Sequence, residues 1–132
     1  MIVDSQFSQF EKQIELLLFR EFGEITPRED IIKRYVAVEN GNLLGTVSVS
    51  KRDLSMGKYN NIGPWLADLF VIPEHRNKGI ARELIQFVLK QHPSNLLLWT
   101  DNHKLVPFYE SFGFCLLELV KYKQKIISVM YK

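Results

Sequence analysis

A chain of 132 residues is the size of one domain, long enough to bury a single core. Its formal charge of +2 lacks the strong basic excess or stripe that marks nucleic-acid binders. No run of about 18 apolar residues is present, nor a basic stretch leading into an apolar signal segment, so the expectation is a soluble protein with no membrane partner. A single cysteine, Cys115, excludes an internal disulfide and fits a reducing, cytoplasmic setting.

Ser5 to Phe22 reads as the first helix, because Phe7, Phe10, Ile14, Leu17 and Leu18 recur at three- and four-residue steps, and Gly23 closes it. Thr26-Pro27-Arg28-Glu29 has the form of a capping box with proline at the first helical position, which predicts a short second helix over Pro27 to Lys33. Two strands follow, Tyr35 to Glu39 and Leu43 to Lys51. The Asn-Gly step between them is a strong hairpin signal. Arg52 to Pro64 is a long polar loop, of the length that tends to carry function or be mobile. Trp65 to Ile72 reads as a central strand, apolar on both faces except at Asp68, and Pro73 ends it.

The helix from Gly79 to Gln91 sets Ile80, Leu84 and Val88 on one row and Ala81, Ile85 and Leu89 on the next. Leu96 to Trp99 is then a second strand, and strand, helix, strand at this spacing predicts a right-handed crossover with parallel strands. Asp101 or Asn102 caps a further helix running to about Phe112, terminated by Gly113. Phe114 to Val120 and Ile126 to Met130 form a closing hairpin, with Cys115 as small core filler. Charge is uneven: Asp4 to Asp30 holds seven acids against three bases, while Lys121 to Lys132 holds four lysines and no acid. Both segments read first as solvated faces.

Candidate chemistry lies where the central strand turns into the Gly79 helix. The first N–H groups of a helix have no partner inside it and face, with the positive end of the dipole, whatever sits above them. A pyrophosphate satisfies such groups. Gly79 lets the main chain approach a ligand, and Arg76 and Lys78 add positive charge at the same spot. Neither the P-loop spacing nor the three glycines of a Rossmann fingerprint is present.

Arg76-Asn77-Lys78-Gly79-Ile80-Ala81 resembles the pyrophosphate loop of the GNAT superfamily of acyl-CoA-dependent N-acetyltransferases. Asn102 to Phe114, NHKLVPFYESFGF, resembles a second element of that family at Asn102, Phe108, Tyr109, Glu110, Gly113 and Phe114, with Leu105 where alanine is usual. The resemblance implies one N-acetyltransferase domain over residues 1–132. Its fold would be mixed α+β, a mostly antiparallel central sheet with a splayed parallel pair (strands about 65–72 and 96–100) and helices on both faces.

By the same resemblance, Leu69, Phe70 and Val71 offer main-chain groups to the pantetheine arm of acetyl-CoA. Arg76, Asn77, Lys78, Gly79, Ile80, Ala81 and Arg82 hold the pyrophosphate, mainly through backbone N–H groups. Asn102 contacts the arm or a bound water, Phe108 packs against the cofactor, and Tyr109 stands near the thioester sulfur. A tyrosine is protonated at neutral pH, so Tyr109 suits the role of donor to a departing thiolate. The amine must also lose a proton, and Asp68, the one carboxylate in the central strand, is the candidate base or acceptor anchor. No metal is implied.

The expected reaction is acetyl transfer from acetyl-CoA to a primary amine of a small molecule, by a monomer or homodimer. The alternatives are acetylation of a protein lysine or N-terminus, and a non-catalytic acyl-CoA-binding regulatory module. Two departures from the family stand out. Met1 to Asp4 allow only a stub of the usual first strand, and Asn77 replaces a common glycine, a place where asparagine tolerates positive φ.

Overall fold

The computed structural model describes residues 2–4, 9–93 and 95–132. Seven strands form one sheet in the order β1-β2-β3-β4-β5-β7-β6. They are β1 (Ile2–Asp4), β2 (Ile31–Glu39), β3 (Asn42–Ser50), β4 (Trp65–Val71), β5 (Leu97–Thr100), β6 (Cys115–Tyr122) and β7 (Lys125–Tyr131). Every neighbouring pair is antiparallel except β4 and β5. The N-terminal stub does pair: Ile2 lies opposite Ala37, and Asp4 opposite Tyr35.

Helix α1 (Glu11–Phe22) lies on one face of the sheet, where Ile14 and Leu18 pack with Val36, Leu43 and Phe70. Phe7 and the first residues of the expected helix lie outside the described residues. Gly23 caps α1 at φ 78°, its N–H donating to the Phe19 carbonyl at 2.8 Å. Residues 52–64 cover the same face further along, with Leu54 and Tyr59 set on Trp65, Leu97, Ile127 and Val129. Helix α2 (Ile80–Gln91) covers the opposite face, its Leu84, Ile85 and Val88 buried with Val47, Val49, Leu98 and Met130. The short α3 (Val106–Glu110) adds Tyr109 to that core.

The helix expected over Pro27 to Lys33 is not formed. Arg28–Asp30 make one 3-10 turn, and β2 begins at Ile31. The apparent cap is used elsewhere, since Thr26 donates its hydroxyl to Asp68, and next to it Arg28 forms a two-point pair with Glu15. Pro27, at ψ 140°, is extended rather than helical. The β-branched Ile31 and Ile32 then suit a strand.

Cys115 is likewise not core filler. It is exposed at the start of β6, an edge strand that pairs only with β7, whose outer surface also leaves Leu116, Leu117 and Leu119 open. The β2–β3 turn is as expected, with Asn40 at φ 52° and Gly41 at φ 77°, the positive pair a two-residue hairpin turn requires. Gly45 has a different task. A Cβ there would meet the Phe70 carbonyl oxygen at 2.9 Å and Leu84 and Ile80 at 3.3 and 3.4 Å, so its absence lets the start of α2 sit close on the sheet. No helix among the described residues is long and apolar enough to cross a membrane.

Candidate active site

The parallel pair is joined at one place only, Trp65 opposite Leu97, with the Leu97 N–H donating to the Pro64 carbonyl at 3.0 Å. Beyond that rung β4 and β5 part. The cause lies in β4: between the Thr46–Phe70 and Ser48–Ala67 pairs the strand carries an extra residue, and Asp68 sits at φ 56°. A bulge of this kind bends the strand and withdraws its backbone groups from the ladder. Leu69, Phe70 and Val71 follow it directly, so the expected pantetheine-binding stretch borders the opening.

Asp68 is held in place from three elements. Thr26 Oγ1 and Ser48 Oγ each donate to its Oδ2 at 3.0 Å, and Arg34 Nη2 approaches the same oxygen at 3.5 Å. Arg34 is itself buried, with its Nη1 paired to Glu11 at 3.2 Å and no hydrogen-bond partner for Nε among the described residues. All of Asp68's donors thus converge on one oxygen. Oδ1 accepts from none of the described residues.

The stretch expected to cradle an anion is the turn into α2. Asn77 and Gly79 both have positive φ, 64° and 83°, and the N-terminus of α2 has no side-chain cap. A Cβ on Gly79 would touch nothing within 4 Å, so the space above the helix end is open. Asn77 and Lys78 are exposed beside it, while Ile80 and Ala81 turn inward. Arg76 reaches back: its Nε donates to the Val71 carbonyl at 2.8 Å and its guanidinium lies 5.3 Å from the Phe70 ring. Arg82 stacks on Phe108 and Phe112, at 5.6 and 4.9 Å, which ties the start of α2 to α3. These groups suit a nucleotide diphosphate: uncapped N–H donors, two nearby cations and room for the ligand.

Asn102 caps the 3-10 turn that leads into α3, its Oδ1 accepting from Lys104 N at 3.1 Å, and it lines a hollow of about 550 Å³ with His103 and Lys125. Tyr109 is buried against Phe108 and Phe114. Burial pushes its phenol up to about 12, and no described residue hydrogen bonds to its hydroxyl. His103 Nδ1 lies 3.0 Å from Ser128 Oγ, and His75 closes the turn after β4.

Sequence reasoning missed four participants. Asp53, in the 52–64 loop, has its carbonyl fixed by the Trp99 indole N–H at 3.1 Å. Burial drives its carboxyl well above the usual carboxylate range, and the charges of Asp68 and Glu24 push the same way; the Trp99 N–H opposes them. Arg34 fell between the expected helix and the expected strand, with no role assigned to it. Glu24 and Lys123, 99 positions apart, form a 2.9 Å ion pair that joins the segment after α1 to the β6–β7 turn. Only the polar character of the 52–64 loop hinted at any of these.

A bulged strand with a single parallel rung beside an uncapped helix end marks out this class of mixed α+β fold. The chain belongs to the Acetyltransferase (GNAT) family, whose profile matches residues 2–114. It is 31% identical over 87 residues to the peptidyl-lysine N-acetyltransferase YiaC of Escherichia coli (strain K12). That alignment takes in 65% of this chain and 52% of the relative, so the chain spans about half that protein's length.

Among solved structures it is similar to Arabidopsis thaliana Naa50 in complex with a bisubstrate analogue, at TM-score 0.75 and 18% identity, covering 99% of this chain and 97% of that one. It is also similar to an aminoglycoside 6'-N-acetyltransferase complexed with coenzyme A, at TM-score 0.72 and 17% identity, covering 100% and 96%. At such identities these two likenesses establish the fold.

Proposed function

We propose that the protein is an acetyl-CoA-dependent N-acetyltransferase that acts on the primary amine of a small molecule by direct attack on the thioester. The observation that carries this reading is the parting of β4 from β5 beyond the single Trp65–Leu97 rung, next to an uncapped α2. Bound acetyl-CoA would supply an activated acyl thioester. Arg76 to Arg82 hold its pyrophosphate, main-chain groups of Leu69 to Val71 line its arm, and Asn102 and Phe108 flank it.

Tyr109 supports the departing sulfur. With a phenol near 12 and a thiol near about 8.5, complete proton transfer is uphill by roughly 5 kcal/mol, so a hydrogen bond to developing thiolate charge is the better description. We assign Asp68 the anchoring half of its expected role: Oδ2 is satisfied by Thr26, Ser48 and Arg34, and Oδ1 is left to receive an acceptor ammonium.

A second reading, a lysine side chain of a peptide as acceptor, is favoured by the 31% identity to a peptidyl-lysine acetyltransferase. The Glu24–Lys123 pair, which joins the segment after α1 to the β6–β7 turn, would narrow that side of the sheet and so favours the small acceptor. Thiol release measured with polyamines, amino acids, aminoglycosides and lysine peptides separates the two. The expected result is turnover with a small amine and little with peptides. Peptide-only turnover selects the second reading, and none with any amine points to a binding module. Acetyl-CoA at a hundredfold excess over Kd is expected to stabilise the fold by about 2.7 kcal/mol, with ATP or NADH well below that.

Gly79 supplies both a left-handed backbone and empty space, and Gly79→Asn separates them. Asparagine visits that region readily, but its side chain would occupy the cradle and compete for the helix N–H groups. The expected outcome by calorimetry is at least a tenfold loss in acetyl-CoA affinity with a nearly unchanged apo Tm. Equal affinity in both proteins removes the cradle from the reading.

A further inference from the structure

We propose that Arg34 is a positioning residue for the acceptor: its guanidinium braces Asp68 on the β4 bulge against Glu11 on α1, and so fixes which Asp68 oxygen meets the incoming ammonium. This inference rests on the acetyltransferase reading above.

The placement begins with strand register. Arg34 on β2 lies opposite Ser48 on β3, and Ser48 lies opposite Ala67 on β4, so a polar row crosses the sheet and ends at the bulge. Arg34 is two residues from Val36 along β2 and shares its face, the one under α1. By the same register the row falls between Val36–Thr46–Phe70, where one apolar cluster sits, and Ser50–Trp65, where a second begins. Arg34 is only 2% exposed there. Core stability gives no reason for it, because well-packed apolar side chains in place of an enclosed ion pair are often neutral or stabilising.

The hydroxyls around Asp68 do not fix its carboxylate by themselves. Ser48 has one proton and three acceptors in reach: Asp68 Oδ2 at 3.0 Å, the Ala67 carbonyl at 3.2 Å and Ser50 Oγ at 3.5 Å. Thr26 adds one further donor, from the irregular segment between α1 and β2. A guanidinium differs from both, since it is always charged and its planar fork sends its N–H groups in fixed directions. With Nη1 on Glu11 at 3.2 Å, Nη2 stands 3.5 Å from Oδ2. That oxygen is thereby committed to the protein, and Oδ1 is the one presented to the acceptor.

Without the brace, Asp68 can exchange its two oxygens by rotation, and only part of the protein is ready for an ammonium at any moment. Apparent affinity for the acceptor falls by that fraction. None of the groups assigned to acetyl-CoA belongs to the brace, so the cofactor should not sense the change.

The experiment uses the full chain and the best amine from the panel, with Arg34→Lys and Glu11→Gln, each alone and combined with Asp68→Asn. Arg34→Lys keeps the buried charge and removes the fork. Expected for it are about a tenfold rise in the amine KM, kcat and the acetyl-CoA KM within about threefold of wild type, and an unchanged acetyl-CoA thermal shift. Glu11→Gln loosens only the α1 end and should raise the amine KM by a smaller factor. In the Asp68→Asn background neither substitution should raise the amine KM further, because no carboxylate remains to be oriented.

An amine KM equal to wild type in Arg34→Lys overturns the brace while the acetyltransferase reading stands. Full additivity with Asp68→Asn overturns it too, since Arg34 would then act through the fold at large. Should Arg34→Lys not fold, Glu11→Gln decides by the same two criteria. Wild-type protein that neither shifts with acetyl-CoA nor releases thiol with any amine removes both readings.

Discussion

Trp65→Ala is expected to lower the unfolding free energy by about 3–5 kcal/mol, a large share of the roughly 5–15 kcal/mol that domains possess. The residue is fully buried, its indole N–H donates to the Ile62 carbonyl, and Tyr59 packs edge-on against it with ring centroids 6.0 Å apart. It is also the β4 member of the one rung joining the parallel strands. Its loss should therefore act twice, on the core beneath the 52–64 loop and on the closed end of the opening. Urea denaturation gives the first effect and acetyl-CoA titration the second, for which weaker binding is expected. A change below about 1 kcal/mol would mean that the loop, not Trp65, holds that end together.

Tyr109→Phe should lower kcat by about a hundredfold, the low end of what a positioned acid contributes. Stability should barely move, since the hydroxyl has no hydrogen-bond partner among the described residues and the ring stays in place between Phe108 and Phe114. With the phenol near 12, no alkaline limb assignable to this group should appear below pH 10 in the wild-type profile. Turnover equal to wild type would leave Tyr109 as core packing alone.

Local chemistry made much of the fold legible. Asn40-Gly41 could form little but a tight hairpin turn, Gly23 and Gly79 take the left-handed conformations their positions require, and the apolar rows of α2 face the sheet. The turn into α2 was legible for the same reason, since Arg76 to Ala81 span one turn of chain. The errors share the opposite cause. Thr26 resembled a cap until Asp68, 42 positions away, claimed its hydroxyl. Cys115 sits in an apolar run, but β6 is the last strand and nothing in the run reveals that its outer face is uncovered. Asp53 had no local signal beyond the polar character of its loop. Its environment depends on Asp68, Glu24 and Trp99, which only folding brings near, and a desolvated carboxyl in a polar loop is spelled like a solvated one.

The link between Glu24 and Lys123 has a further implication. The acid-rich beginning of the chain and its lysine-rich end meet there through side chains that are each about 60% exposed, 59% and 60% respectively. Contacts of that kind are worth no more than thermal energy and fade with added salt. The bridge is thus a weak latch between the segment after α1 and the β6–β7 turn, and the ionic strength of the medium, rather than any hinge in the backbone, sets how often it is closed.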